Sequence, residues 1–277
     1  MKDTVLGLFE AAFYYWSVGV AEVWDMLSMS PEAFADGALW NTATAVNTAL
    51  EGVGLGLLVL FFMISLVKSA MSIKDFMRPE TLFRFIAQIA ISKAVISYGM
   101  TIITSVFSLG SFLVTRVTGS LGMTSALLTV PPDIVSAIND TPFMGQFGLM
   151  AVVLIGSLAL VASMLIIKLK VYGRFFTIAM FTALSPLPLA GIAGSETVFM
   201  TKAFLRGLCS IALEGAIIML AFALWLGLIN LGGIGIISAS TPFMLVVSYM
   251  LEVLFSAMLL VMTIMTSDKL AHKIMGL

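Results

Sequence analysis

Two carboxylates lie inside long uncharged stretches of the sequence. Glu214 lies in GLCSIALEGAIIML and Glu252 in LVVSYMLEVLFSAML. A charge at the middle of a lipid bilayer costs at least about 2.5 kcal/mol, so such residues usually face a protein interior or an aqueous path. Two interpretations follow. The glutamates line a polar path or act as a proton-sensitive switch, or they fix helix packing as protonated or hydrogen-bonded groups.

Basic residues flank an uncharged stretch of twenty residues, FFTIAMFTALSPLPLAGIAG at 175–194. The five basic residues are Lys168, Lys170, Arg174, Lys202 and Arg206. Near a membrane, such residues set the orientation of the chain and contact anionic lipid, each contributing about 1 kcal/mol. The pattern therefore predicts a cytoplasmic basic surface. Docking of a cytoplasmic partner on that surface is a second interpretation, which the spacing alone does not support.

Patterns for enzymatic chemistry are missing from this sequence. Its one cysteine, Cys209, lies in a hydrophobic run, and its one histidine, His272, lies in a charged tail beside Lys273. We find no metal-ligand cluster, no phosphate-binding glycine loop and no nucleophile–base pair. We therefore expect no catalytic residues, no metal and no cofactor.

The composition indicates an integral membrane protein. Of the 277 residues, 60% are hydrophobic and 10% charged, whereas about a quarter are charged in soluble domains. Uncharged runs of about twenty residues match the thickness of a bilayer. We predict an all-α, polytopic transmembrane helical bundle with about five crossings. The predicted crossings are 52–67, 94–115, 147–167, 207–229 and 243–266.

The N-terminal region, residues 1–51, is predicted to form extracytoplasmic amphipathic helices. Within residues 3–29, one arc of a helix is polar or small and the other is apolar. The polar arc contains Asp3, Glu10, Tyr14, Ser17, Ala21 and Asp25, and the apolar arc contains Val5, Leu6, Phe9, Phe13, Val20 and Leu27. This pattern is typical of a helix on the membrane surface. Residues 52–266 are assigned to the bundle, and residues 267–277 to a cytoplasmic tail.

The stretch 175–194 either crosses the membrane or dips in and returns. If it returns, all basic residues except Lys2 and Arg116 share one side of the membrane. Since basic residues in short loops stay in the cytoplasm, the charges favour a re-entrant hairpin, an outside N-terminus and a cytoplasmic C-terminus. A sixth crossing is the alternative.

Two prolines support the hairpin on mechanical grounds. Pro186 and Pro188 each remove a backbone donor and break a helix. Non-helical backbone at membrane depth must be buried in protein or line a water-filled cavity. We therefore select Ser185, Pro186, Pro188 and Gly194 as the residues that shape the hairpin.

The block from residue 171 to 220 resembles the TrbL-like polytopic membrane subunits of conjugative type IV secretion systems, especially those on mobile elements of Gram-positive bacteria. The residues that carry the resemblance are Gly173-Arg174-Phe175, Ser185-Pro186, Pro188-Leu189, Gly194, Glu196-Thr197, Lys202, Phe204-Leu205 and Glu214-Gly215. The resemblance implies a channel or platform component of the plasma membrane with about five crossings. It also implies an outside N-terminus and a cytoplasmic C-terminus, as the charges do.

The resemblance further implies partners, namely other membrane subunits, cytoplasmic ATPases and a DNA substrate with its attached relaxase. We also expect contact with membrane lipid and a homo- or hetero-oligomer. The expected function is to help pass a DNA–protein substrate across the cytoplasmic membrane. Two alternatives stay open: a small secondary transporter that uses the broken helix and buried carboxylates, and a scaffold that conducts nothing.

Overall fold

The computed structural model describes residues 2–70, 79–120, 128–230 and 241–277. Within these residues the chain forms helices and no strand. The ten α-helices of the described residues are α1 (Lys2–Ser28), α2 (Ala38–Ala70), α3 (Pro79–Ser97), α4 (Gly99–Ser120), α5 (Pro132–Asp140), α6 (Phe143–Leu184), α7 (Pro186–Leu189), α8 (Val198–Asn230), α9 (Pro242–Met265) and α10 (Ser267–Ile274). Two 3₁₀ turns lie at Phe34–Gly37 and Ala190–Ala193. The predicted all-α fold is confirmed.

Six helical stretches among the described residues are long and apolar enough to cross a bilayer. They are Lys2–Ser28, Phe34–Lys68, Gly99–Gly119, Phe143–Leu184, Val198–Ile229 and Pro242–Met265. Five of them overlap the five predicted crossings, and the additional one is α1. The chain is therefore a multi-pass membrane protein. The predicted number of crossings and the predicted orientation of the termini stay predictions.

The longest helix joins two segments that the sequence analysis treats separately. α6 contains 42 residues, which gives a length of about 63 Å at 1.5 Å per residue. It includes the third predicted crossing, the basic run KLKVYGR and the first ten residues of the 175–194 stretch. Lysine and arginine are good helix formers, so the basic run does not interrupt the helix.

The second predicted crossing also differs from the structure. The segment 94–115 begins in α3 and continues in α4, with Tyr98 as a turn between the two helices. Backbone hydrogen bonds continue across this turn, since the Tyr98 N–H donates to the Ala94 carbonyl and the Ile102 N–H to the Tyr98 carbonyl, at 2.8 and 3.1 Å.

The residues form two compact units. The first unit consists of Met1–Ser28, Val114–Tyr172 and Ala216–Ser267, and the second of Met29–Leu113, Gly173–Gly215 and Asp268–Leu277. Both units therefore contain parts of the predicted N-terminal region, 1–51, and of the predicted bundle, 52–266. The predicted boundaries at residues 51 and 266 describe positions relative to a membrane and stay predictions.

In the first unit, α1 packs through aromatic side chains. Phe9 and Phe13 lie 6.2 and 6.3 Å from Tyr249 of α9, measured between ring centroids. Trp16 lies 5.5 Å from Trp225 of α8. Such pairs each contribute about 0.5–1.5 kcal/mol beyond the area that they bury. The apolar arc of α1 is therefore covered by protein.

The burial pattern confirms that α1 is amphipathic. Five residues of the predicted apolar arc are buried: Val5, Phe9, Phe13, Val20 and Leu27. Five residues of the predicted polar arc are exposed: Asp3, Glu10, Tyr14, Ala21 and Asp25. Only Ser17 of the polar arc is buried. The predicted position of α1 on the membrane surface stays a prediction.

In the second unit, an ion pair between Lys68 and Glu196 predicts the accessibility of nearby positions. Lys68 lies near the end of α2, and both side chains are exposed. Because the pair requires both residues to lie on the same side of a membrane, Val67→Cys and Ser195→Cys should react with an impermeant maleimide from the same side, which we expect to be the cytoplasm. The measurement compares whole cells with inverted vesicles in a Cys209→Ser background.

Opposite sides for the two positions would contradict the Lys68–Glu196 contact, and labelling of both from outside would contradict the predicted orientation. A cysteine at Thr201 would not test this arrangement, because that position is 2% exposed and the reagent would not reach it.

Candidate functional site

The candidate site is the helix break that follows α6 in the second unit. α6 ends at Leu184, and Pro186 and Pro188 lie in the short helix α7. A proline has no backbone N–H, so it ends a helix but fits the first turn of the next one. A 3₁₀ turn follows, Gly194 is extended with φ −114° and ψ 140°, and α8 begins at Val198. The predicted break at Ser185-Pro186 is therefore present.

The chain reverses direction after this break. The rings of Phe181 in α6 and Phe204 in α8 stack at 5.7 Å, and the Arg174 Nε donates to the Ile211 carbonyl at 3.2 Å. The end of α6 and the start of α8 are thus the antiparallel arms of a hairpin. We use "the hairpin" for residues 173–215, and "its tip" for residues 194–197.

The hairpin is longer than predicted. We expected the chain to dip and return between residues 175 and 194, but Gly194 lies at the tip and α8 forms the returning arm. Lys202 and Arg206 therefore lie on the returning arm rather than beyond it. Charge placement alone does not show where the returning arm begins, because Lys202 and Arg206 are part of a regular helix, as is the basic run in α6.

The backbone freed by Pro186 is held by a side chain from α2. In an unbroken helix the Thr182 carbonyl would accept from the N–H of residue 186, which proline lacks. The Asn47 Nδ2 donates instead to the Thr182 carbonyl at 2.7 Å and to the Ser185 Oγ at 2.8 Å. Asn47 and Ser185 are both buried. The Thr182 carbonyl also accepts from the Ser185 N–H, but at a longer distance of 3.4 Å, so Asn47 provides its shorter hydrogen bond, and such a bond contributes about 0.5–1.5 kcal/mol net.

Three more carbonyls beyond the break accept from side chains. The Thr201 Oγ1 donates to the Pro188 carbonyl at 2.8 Å, and the Thr197 Oγ1 to the Gly191 carbonyl at 2.7 Å. The Gln88 Nε2 of α3 donates to the Ala193 carbonyl at 2.7 Å. Side chains of this kind are what allow proline breaks at membrane depth. Donors on α2, α3 and α8 thus surround one irregular segment.

Two glycines allow close contact between α2 and the broken segment. A Cβ on Gly54 would lie 2.8 Å from the Pro186 carbonyl oxygen, and one on Gly194 would lie 3.2 Å from the Phe61 carbonyl oxygen. A Cβ on Gly54 would therefore force a backbone shift, and one on Gly194 would also lie 2.5 Å from the Thr197 Oγ1 and displace that hydroxyl. Neighbouring Gly52 and Gly56 have no atom within 4 Å of such a Cβ, so of the glycines in GVGLG only Gly54 permits this approach.

A cavity of about 480 Å³ adjoins the tip. It lies between α3 and the broken segment, and its polar lining includes Gln88, Ser92 and Ser195. Ser92 is fully buried, and its Oγ donates to the Gln88 carbonyl at 2.6 Å. The side chains of Gln88 and Ser92 thus face the broken segment. Irregular backbone beside a partly polar cavity is the arrangement expected at membrane depth.

The prediction of a cytoplasmic basic surface is wrong for Arg174. Its side chain is 6% exposed and lies against α8, where Glu214 is also 6% exposed. The two charges interact electrostatically. A Cβ on Gly215 would lie 2.9 Å from an Arg174 guanidinium nitrogen, so this glycine provides the space for the guanidinium. Arg174 and Glu214 form a buried pair of opposite charges within the hairpin.

The other four basic residues divide between the two units. Lys168 belongs to the first unit, where its Nζ pairs with Glu22 and lies 5.6 Å from the ring centroid of Tyr15. Lys170 is half-buried in that unit, whereas Lys202 and Arg206 are exposed in the second unit. For these four residues the predicted cytoplasmic basic surface stays a prediction.

The two predicted intramembrane carboxylates lie in different units. Glu214 belongs to the hairpin, whereas Glu252 lies half-buried on α9 in the first unit. Glu252 interacts electrostatically with Tyr249, whose ring packs on α1. The structure therefore gives each carboxylate its own surroundings. Across residues 2–70, 79–120, 128–230 and 241–277, no group of three or more His, Cys, Asp or Glu side chains could hold a metal ion.

Sequence reasoning missed the role of Asn47. The usable signal is the proline itself, because a proline inside an apolar stretch leaves the carbonyl four residues earlier without its helical donor. A polar residue on a neighbouring apolar helix is then a candidate donor.

The fold and this site define a class: an all-helical, multi-pass membrane protein with a proline-broken hairpin. Residues 18–186 match the model of a family described as TrbL/VirB6 plasmid conjugal transfer like protein. Since the match covers more than half of the chain, the chain belongs to the TrbL/VirB6-like family of conjugal transfer proteins. No curated protein and no solved structure matches the chain.

The family identified from the sequence is confirmed, but the residues that match the family model are largely different from those that carry the resemblance. The match ends at Pro186, so only the first part of the block 171–220 lies within it. The protein is thus a membrane component of conjugal transfer and the membrane-embedded part of a multi-subunit complex.

Asn47→Ala should destabilise the protein, because it removes the donor of two buried hydrogen bonds, one to the Thr182 carbonyl and one to the Ser185 Oγ. We expect a loss of about 1–3 kcal/mol in the free energy of unfolding, measured as a lower melting temperature in detergent. Asn47→Asp, which keeps the shape but replaces the amide donor by a carboxylate acceptor, should behave similarly.

The matched control is Thr48→Ala. Thr48 is exposed, and its hydroxyl donates only to the Thr44 carbonyl of its own helix. Equal melting temperatures for the Asn47 and Thr48 variants would show that the Asn47 contact does not stabilise the break.

Proposed function

We propose that this protein is a channel or gating subunit of a type IV secretion machine that helps pass a DNA–protein substrate across the cytoplasmic membrane. In this proposal the hairpin is the moving element, and its tip opens or closes the path. The role is not enzymatic. Membership of the conjugal transfer family supports a role in such a machine. The helix break supports the proposal that the hairpin moves.

The observation that carries the proposal is the way in which the broken backbone is held. Its carbonyls accept from side chains of Asn47, Gln88 and Thr201 rather than from a continuous helix. Each such hydrogen bond has a net value of about 0.5–1.5 kcal/mol. A binding partner shifts an equilibrium between two conformations by the difference between its affinities for them. A difference of a few kcal/mol is enough to exchange a few of these hydrogen bonds. The break is therefore a suitable hinge.

The partners proposed for this subunit are other membrane subunits and cytoplasmic ATPases. The exposed charges on and near the tip, at Lys68, Glu196 and Lys202, support a contact with a cytoplasmic partner. The DNA with its attached relaxase would travel along a path built by several subunits, in a homo- or hetero-oligomer. Exposed apolar side chains would contact lipid. We place the machine in the plasma membrane, with the N-terminus outside and the C-terminus in the cytoplasm.

The family membership favours this role over a secondary transporter, although a broken helix beside a cavity also occurs in transporters. A scaffold that conducts nothing would contain the same break but would not need to move it. The two experiments below separate the gate from the scaffold.

The first experiment tethers the tip to α2. In a Cys209→Ser background, Lys68→Cys and Glu196→Cys replace an exposed ion pair by two thiols. A reducible bis-maleimide should then join the tip to α2 and lower the frequency of conjugal transfer, because the hairpin can no longer open. Reduction of the linker should restore transfer.

The matched control tethers an ion pair in the first unit, with Glu22→Cys and Lys168→Cys. Crosslinking there should leave transfer unchanged. Full transfer with the tip tethered would reject the gate and favour the scaffold.

The second experiment removes the charges of the two intramembrane carboxylates. We expect Glu214→Gln and Glu252→Gln each to lower transfer at an unchanged protein level. Glu214→Gln removes the charge opposite the buried Arg174 and so weakens the electrostatic interaction between the two arms of the hairpin. Immunoblots of membranes provide the level of each variant, and wild-type transfer in both would show that the carboxylates only serve packing.

A further inference from the structure

A second cavity in the second unit lies between the start of α2 and the middle of α4. Its volume is about 300 Å³. The lining consists of Ser30, Pro31, Glu32, Trp40, Thr104, Ser105, Phe107 and Ser108. All of these residues belong to the second unit, and none of them takes part in the helix break.

The hydroxyl groups on α4 present acceptors to this cavity. The Oγ1 of Thr104 and the Oγ of Ser105 both donate to the Thr101 carbonyl, at 3.1 and 2.7 Å. The Ser108 Oγ donates to the Ser105 carbonyl at 2.8 Å. Each hydroxyl has one hydrogen and two lone pairs, so the hydrogen is used within the helix and the lone pairs are left. Three of the four hydroxyls in the lining can thus accept a hydrogen bond.

The other side of the cavity adds a negative charge and an aromatic ring. Glu32 is exposed, and an ionised carboxylate only accepts hydrogen bonds. Trp40 is half-buried, and an indole ring is the best of the aromatic faces for a cation. The backbone between these two residues is strained, because Ala35 and Asp36 adopt φ of 52° and 54°, the left-handed region. The chain therefore keeps an unfavourable turn between Glu32 and Trp40.

We propose that this cavity binds the guanidinium group of an arginine side chain from a partner protein. A guanidinium is planar, always charged and carries five N–H donors, so it can pair with Glu32, donate to hydroxyl oxygens of α4 and stack on Trp40. An amine-bearing phospholipid fits less well, because the carboxylate and the lone pairs repel its phosphate. A bare metal ion would leave most of the 300 Å³ unfilled.

The test titrates the full-length protein in detergent with three blocked amino acids and follows binding by calorimetry. N-acetyl-arginine amide should bind saturably, whereas its neutral isostere N-acetyl-citrulline amide should not. N-acetyl-lysine amide should bind more weakly than the arginine probe, because an ammonium lacks the planar fork of donors. Glu32→Gln should weaken arginine binding by about tenfold or more, since a hydrogen bond from the guanidinium to a neutral amide replaces the pairing with a carboxylate.

The matched control is Asp36→Asn, which removes the same charge from the same loop. Asparagine tolerates the left-handed conformation at this position, so this variant should fold and bind arginine nearly as the wild type does. The melting temperatures of both variants show whether each is folded. Equal binding of citrulline, equal binding of lysine, or equal losses in the two variants would each overturn the proposal.

Discussion

The interaction on which the second unit depends is the donation from Asn47 to the Thr182 carbonyl. A proline in an apolar helix creates a problem, because the carbonyl four residues earlier loses its helical donor and here keeps only a long hydrogen bond of 3.4 Å from the Ser185 N–H. Asn47 of α2 solves it from outside, and Gln88 and Thr201 do the same for later carbonyls. The packing of α2 and α3 on the hairpin is therefore set by hydrogen bonding as well as by shape. The contact of Gly54 with Pro186 follows from the same need for close approach.

Much of the fold can be predicted from the sequence, because the hydrophobic effect and the length of apolar runs determine it. The membrane class, the helical fold, the amphipathic α1 and the break at Ser185 all follow from local patterns. The extent of the hairpin does not follow, because basic residues do not interrupt helices and α6 continues through KLKVYGR. The burial of the Arg174 side chain does not follow from the sequence either. A guanidinium beside a membrane surface and one buried against Glu214 have the same local sequence, and only the partner on α8 distinguishes them.

The site residues found by the structure share a property that a single segment cannot show. Asn47, Gln88 and Thr201 are each unremarkable polar residues on helices, and their importance comes from the carbonyls that they meet across distances of 13 to 135 residues in the chain. The two carboxylates illustrate the opposite case. Both are easily found in the sequence because a charge in an apolar run is conspicuous. They lie in different units, however, and interact electrostatically with different residues.

The length of α6 has a consequence for how this protein can be isolated. Fitting a helix of about 63 Å into a hydrocarbon layer of about 30 Å would need a tilt of about 60°, beyond the roughly 40° that transmembrane helices show. Yet its large apolar side chains are exposed from Phe143 at one end to Leu184 at the other. Lipid or a detergent belt can cover only part of them, and the rest need the surface of another protein. The chain is therefore best purified together with its neighbouring subunits.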